Sequence, residues 1–413
     1  SYENGTGGNV VLYNGSTFAA NDVVTVVMNY RLGTMGFLAS ETMTGNYGHM
    51  DQRMAMQWTK NNIQGFGGNP ERITVGGQSA GAMSVGAHLV SPGSKGLFQQ
   101  GIIESNPYGI PFHERPDATE NADNCFEYLD CAKNDVACMR TKSVDEILDA
   151  QKNAPKLNLQ NLFINFLPFA PLVDPNGEIP VQPFVGMMNG QFDSMPLMIG
   201  SVKDEGQLFV YELFTKPLGK AAYDAMIPVI FGLKNAPEIL RAYPFGDVEG
   251  IDNSTDAREQ FNVLATDLLF YCPIRNTTRG YQSKQENFKP TYEYKFMHSM
   301  SFDCWGPGYE FCVEDVVCHG SELPFVFNVF TDGVSVDYTP NADEVQLTTD
   351  LSHAWTNFVV NGNPNKGLEI KKAYPEYTPA ADAAIVLDEP TTTVNSHMRE
   401  KYCDMWDRMG YFY

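Results

Sequence analysis

The sequence predicts an α/β architecture, a mostly parallel central sheet with helices on both faces, and three observations carry that expectation. Strand-like and helix-like segments alternate through the first 110 residues, an order that builds parallel sheets covered by helices. The run "VVTVVMNY" (23–30) is β-branched along nearly its whole length, as a strand buried on both faces is. Hydrophobic residues make up 43% of 413, enough for a large core. Neither repeats nor Gly/Ser linkers interrupt the chain, so residues 1–413 are parsed as one domain.

After 23–30, the spacing in "MDQRMAMQWTKNNIQGF" (50–66) predicts a helix that buries Met54, Met56, Trp58 and Ile63. "GGNP" (67–70) is a turn, and "RITVGG" (72–77) a short strand. "LFQQGIIES" (97–105), "MPLMIGS" (195–201) and "TYEYKFMHS" (291–299) read as further strands, "ADAAIVLDE" (381–389) as a short one. Helical excursions are expected at about 112–165 and 207–271.

Composition narrows the function. Fifty acidic against 28 basic residues leave a net charge of −22, which argues against nucleic acid or an anionic membrane as partner. No apolar run approaches the ~18 residues of a membrane span, and no signal peptide is visible. A chain that starts with Ser reads as a processed product or a fragment. Four N-glycosylation sequons begin at Asn4, Asn14, Asn253 and Asn276, and the eight cysteines form no metal-binding pattern. Together they favour an oxidising, secreted or lumenal setting.

In "TVGGQSAGAMSVGAHLV" (74–90), Ser79 lies between two glycines where a strand gives way to a helix. The pattern G-x-S-x-G alone would arise by chance in about one chain in seven of this length. Its context is more specific. A strand precedes it, small residues follow, and the helix N-terminus favours negative charge developing beside Ser79. Ser79 is the candidate nucleophile. Of seven histidines, only His319 in "EDVVCHGSELPFVF" has a distinctive setting for the base. For the orienting acid, "MIGSVKDEGQLF" offers Glu205 and Asp204 just beyond a strand, and local chemistry divides nearly evenly between them.

The stretches "VVMNYRLGTMGFLAS", "GNYGHMDQRMAMQWTKNNIQGFGGNPERITVGGQSAGAMS", "GSVKDEGQLF", "CHGSELPFVF" and "WTNFVVNGNPN" resemble, in order, the type-B carboxylesterase/cholinesterase-like α/β-hydrolases, fungal lipases included. The resemblance implies an α/β-hydrolase fold with Ser79 as nucleophile, Glu205 as acid in preference to Asp204, and His319 as base. Ester hydrolysis would pass through an acyl-enzyme, with no cofactor and no metal. It further implies disulfides Cys131–Cys138 and Cys272–Cys403, and one pair among Cys304, Cys312 and Cys318 beside His319. Cys125 has no assigned partner.

Three departures stand out. Gln78 occupies a position where the family usually has Glu, and His49 one that is usually apolar. The family's oxyanion loop, His-Gly-Gly-Gly-Phe or similar, is entered only near its end by "SYENGTGG". Ala80 offers one oxyanion donor, and Ser1 a second given a peptide bond before it. The upstream glycine donor and the first strands are absent from this sequence, which is therefore expected to be N-terminally truncated and completed by a further segment or chain. Losing one such donor typically costs ~10²–10³ in rate.

The expected substrate is a small-molecule or lipid ester. Tyr2, Phe163, Phe166, Phe169, Trp305, Phe325 and Phe327 are candidates to line its pocket, although core packing explains each as well. Trp58 and Trp355 read as core residues. The alternative is a non-catalytic adhesion or scaffold protein, or an inactive fragment, on the same fold.

Overall fold

A computed structural model describes all residues except 1, 4, 6–11, 157–165, 249–250, 253–254, 285–288, 303–304, 306–307, 313–314, 331–339 and 412–413. The strands are β1 (Thr74–Gln78), β2 (Gln100–Glu104), β3 (Leu197–Val202), β4 (Asp247–Val248), β5 (Ile251–Asp252), β6 (Thr291–Phe296), β7 (Ala383–Leu387) and β8 (Thr393–Ser396). Six of them form one sheet in the order β1-β2-β3-β6-β7-β8, while β4 and β5 pair separately. From β1 to β7 the pairing is parallel, and β8 returns antiparallel. Apart from 23–30, the strands foreseen from the sequence lie within two or three residues of these positions.

Every residue of β2, β3, β6 and β7 is buried, as helices on both faces require. The helix Ala80–Val90 packs against β1 and β2. The helix Ala342–Asn361 opens on an Asn341 capping box and stops at left-handed Gly362. It buries Trp355, whose indole N–H donates to Glu104 Oε1 at 2.8 Å. Among the described residues, no helix is long and apolar enough to cross a membrane.

Two sequence expectations need correction. Residues 23–30 carry no strand, and Val24, Val26 and Val27 are 43–47% exposed. Among the described residues this run joins no ladder, and β-branched residues without a ladder partner do not make a strand. The helix at 50–66 exists as Tyr47–Asn62 with a 3₁₀ turn Ile63–Phe66, but it is rotated from the expected face. Met54 and Trp58 are 72% and 51% exposed, while Gly48, His49, Gln52 and Met56 face inward.

That inward face is polar because it meets a polar seam. His49 and His88 stack with ring centroids 4.0 Å apart. His88 bonds Ser94 Oγ at 2.8 Å and Gln52 Oε1 at 3.0 Å, and Gln52 donates to Ser84 Oγ. Burial pushes His49 down to about 3 and His88 well below the usual histidine range. Burial pushes Glu293 up to about 8 and Glu104 to about 7, the latter eased by Trp355.

These shifts oppose one another in a definable pH window. The two histidines bind protons only once the chain unfolds, so they lower stability as pH falls below about 6.5. The two carboxyls bind protons more tightly when folded, so their stabilisation is lost as pH rises from about 4.5 towards 7 and 8. Between about 4.5 and 6.5 these four slopes cancel, but buried Glu322 is also held well above the usual carboxylate range and leaves a net loss. Stability is therefore expected to fall as pH rises from about 5, by ~2–4 kcal/mol by pH 8. Thermal melts in matched buffers read this directly. A midpoint that rises over pH 6.5–8 would contradict it.

Among the described residues, disulfides join Cys131 to Cys138, Cys272 to Cys403, and Cys312 to Cys318. The second closes a separation of 131 residues and ties the helix Cys272–Lys284 to the C-terminal helix Glu400–Met409. Closing a loop this long stabilises by roughly 5 kcal/mol in the chain-entropy model. Cys125 is a buried free thiol, and Cys304 lies outside the described residues.

Candidate active site

The carboxyl ends of parallel strands are where α/β sheets gather their ligands, and three such ends carry the candidate residues. At the first, β1 turns directly into the helix Ala80–Val90 through Ser79, held at φ 58° and ψ −122°. A non-glycine residue there stores ~1–3 kcal/mol of strain. The turn is fixed from both sides: Ser79 N–H donates to Glu104 O at 3.0 Å, and Ser79 O accepts from Met83 N at 2.9 Å. A side chain at position 77 would meet the Gly81 carbonyl carbon at 2.4 Å, so Gly77 is required by close approach. Nothing lies within 4 Å of the corresponding point at Gly81. Ser79 stays partly exposed, and its hydroxyl bonds to no described residue.

At the second, β3 ends at Val202 and the helix Glu205–Leu213 begins three residues later. Glu205 is fully buried, and its Oε1 accepts the Val202 N–H at 2.8 Å. Its Oε2 lies 2.5 Å from Nδ1 of His319. That contact places the ring proton on Nδ1 and leaves Nε2 as the lone-pair nitrogen. Nε2 in turn lies 3.1 Å from the Gln78 amide nitrogen, which donates to it. Thus Nε2 of His319 is already occupied by a neutral donor at the residue just before Ser79.

The third element is the His319 loop, and Asp204 holds it. Asp204 N donates to Val317 O, and Val317 N donates back to Asp204 Oδ2, both at 3.0 Å. Asn262 fixes the other oxygen at 3.1 Å. The Cys312–Cys318 bridge stiffens the approach to His319, and Gly320 turns the chain away at φ 92°. The two acids that sequence chemistry could not separate therefore occupy different places: Glu205 touches the imidazole, and Asp204 clasps its backbone.

Other expected positions fall as follows. Ala80 is buried as the first helical residue after Ser79, its N–H at the helix N-terminus. Ser1, Asn4, Asn253 and Phe163 lie outside the described residues. Asn14 is half-buried and accepts from Ser16, whereas Asn276 sits within a helix with its amide donated to Asp407. Tyr2, Phe169 and Phe325 are core residues, 0–1% exposed. The rings that flank His319 are Phe209 and Phe270, at 5.1 and 5.2 Å, with Phe166 packed on Phe209. Phe209 was legible in principle, since it stands one helical turn beyond Glu205. Phe270 lies in the π-turn Thr266–Tyr271 and gave no local signal.

Beneath the site Glu322 is buried, with Ser105 Oγ at 3.4 Å. Burial pushes its carboxyl well above the usual range, and the charges of Glu104 and Glu205 push it further.

The model of the carboxylesterase family matches residues 1–406. This chain belongs to the carboxylesterase family. As a carboxylesterase-family protein it is 35% identical over 405 residues to the cAMP-regulated D2 protein of Dictyostelium discoideum, covering 98% of this chain and 72% of that one. It is 31% identical over 410 residues to the para-nitrobenzyl esterase of Bacillus subtilis, covering 98% and 77%. A solved PNB esterase superposes with a TM-score of 0.78 at 28% identity, covering 98% of this chain and 79% of that chain. This structural match agrees with the α/β-hydrolase fold expected from the sequence.

Proposed function

We propose that this carboxylesterase-family chain hydrolyses carboxylic esters through an acyl-enzyme, with Ser79 as nucleophile, His319 as base and Glu205 as the acid that orients it. The observation that carries this reading is the 2.5 Å contact of Glu205 with His319 Nδ1, which leaves Nε2 as the lone-pair nitrogen. Nε2 faces Gln78 at 3.1 Å beside the elbow that presents Ser79, and Gln78 would yield this position to the serine hydroxyl. His319 would take the Ser79 proton as the hydroxyl attacks the ester carbonyl, and return it to the departing alcohol. Water would then be activated in the same way to release the acid. Ala80 N–H and the positive end of its helix would stabilise the oxyanion.

Phe209 and Phe270 would keep water from the imidazole and favour an apolar acyl or alcohol group. The disulfides Cys131–Cys138, Cys272–Cys403 and Cys312–Cys318 support a secreted or lumenal setting. The half-exposed run Val24, Val26 and Val27 supports a covering segment, in this chain or another. Stopped-flow hydrolysis of p-nitrophenyl acetate tests the reaction. A burst of p-nitrophenol near one equivalent is expected where deacylation limits turnover. Release no faster than buffer blanks would overturn the reading.

A further inference from the structure

The nitrogen that must take the Ser79 proton is not bare. His319 Nε2 lies 3.1 Å from the side-chain nitrogen of Gln78, the residue just before the nucleophile. Because the Nδ1–H is committed to Glu205 at 2.5 Å, Nε2 presents a lone pair, and only the nitrogen end of the amide satisfies it. The amide also lies on the turn that follows the base: a Cβ at Gly320 would stand 3.5 Å from the Gln78 nitrogen. Residue type matters here. An ionised glutamate, usual at this position in the family, has no proton to offer a lone pair. The capped imidazole belongs to the amide that this chain carries.

One lone pair takes one donor in line, so Gln78 and the Ser79 hydroxyl exclude one another at Nε2. One partner has to move before attack, and the surroundings decide which. The imidazole is clamped. Glu205 bonds it, Phe209 and Phe270 flank it at 5.1 and 5.2 Å, and Asp204 holds both backbone groups of Val317 in its loop at 3.0 Å. The Gln78 backbone is fixed as well, in register with Glu104 of β2. Its side chain has more freedom. Gln78 is half-buried on β1, the edge strand of the described sheet, and its torsions can turn the amide towards solvent, where water replaces the lost bond.

We propose that Gln78 is a positioning residue that gates the base: at rest its amide caps His319 Nε2, and its rotation away precedes attack by Ser79. This rests on the esterase reading above and adds a step to it. The step makes and breaks only hydrogen bonds, from Gln78–His319 to Ser79–His319. In the acyl-enzyme the same amide competes with the incoming water for Nε2. A cap of ordinary hydrogen-bond strength slows attack by ~2–10-fold.

Two substitutions test this. Gln78→Met keeps the length of the side chain and removes the donor, and Gln78→Ala removes both. Stopped-flow acylation by p-nitrophenyl acetate at one fixed pH is expected to be ~2–10-fold faster in each than in the parent. Acylation no faster in either folded variant would overturn the proposal. So would a methionine variant that matches the parent while alanine alone differs, since that pattern reports packing. If neither variant folds, crystal structures of the parent decide. The Gln78 amide is expected on Nε2 in the free protein and turned away once an organophosphonate occupies Ser79. An amide away from Nε2 in the free protein, or unmoved in the adduct, would overturn the proposal. Parent and variants that hydrolyse ester at one rate lose this proposal alone. A capped imidazole in a protein that hydrolyses no ester, parent or variant, loses the esterase reading instead.

Discussion

Ser79→Ala is expected to lower kcat for ester hydrolysis by ~10⁴-fold or more while leaving the melting temperature within a few degrees of the parent. The size follows from the mechanism, since without the hydroxyl no acyl-enzyme forms and only the oxyanion donors and binding remain. Stability should hold because Ser79 fixes the elbow through its backbone. Its N–H donates to Glu104 O and its carbonyl accepts from Met83, both unchanged by the substitution. Alanine tolerates the positive φ no better than serine, so the stored strain is the same. A steady-state assay with p-nitrophenyl esters, beside a thermal melt, measures both quantities. Activity retained within ~10-fold would remove Ser79 from the mechanism.

Glu205→Gln has the second largest expected effect, a fall of ~10⁴ in kcat, by analogy with replacing the orienting acid of a serine triad by its amide. The amide would present either an N–H to His319 Nδ1 or a weaker carbonyl acceptor. The imidazolium formed during attack would lose its counter-charge in a fully buried place. Asp204→Asn is expected to act differently. It would weaken the acceptor for Val317 N–H and loosen the His319 loop, costing ~1–2 kcal/mol of stability with less than ~10-fold in kcat. Comparing kcat and unfolding free energy for the two variants separates contact with the base from support of its loop. If Asp204→Asn lost the greater activity, the acid would have to be reassigned.

Much of the sheet was legible because its strands announce themselves locally. A run such as "PLMIGSV" is apolar at all but Ser201 and is satisfied by burial on both faces. The elbow was legible for a related reason, as Gly77, Ser79 and the small residues after it are local requirements of one tight turn. Residues 23–30 and the helix face bearing Met54 and Trp58 misled because their apolarity speaks of burial without naming the partner. Val24, Val26, Val27, Met54 and Trp58 stay 43–72% exposed. Glu205 and Asp204 could not be separated by local chemistry, since both follow β3 and both are acidic. What divides them is the loop at 317–319, more than 110 residues away, which takes backbone bonds from one and an imidazole contact from the other. The contact of Gln78 with His319 spans 241 residues and is likewise invisible to spacing.

The most direct measurement of the central claim is covalent. The folded chain would be treated with an organophosphonate and the adduct located by intact and peptide mass. One adduct per chain on Ser79, lost in His319→Gln, is expected if the elbow, the imidazole and Glu205 act as one nucleophilic unit. A folded chain that stays unmodified, or carries its adduct elsewhere, would contradict that claim.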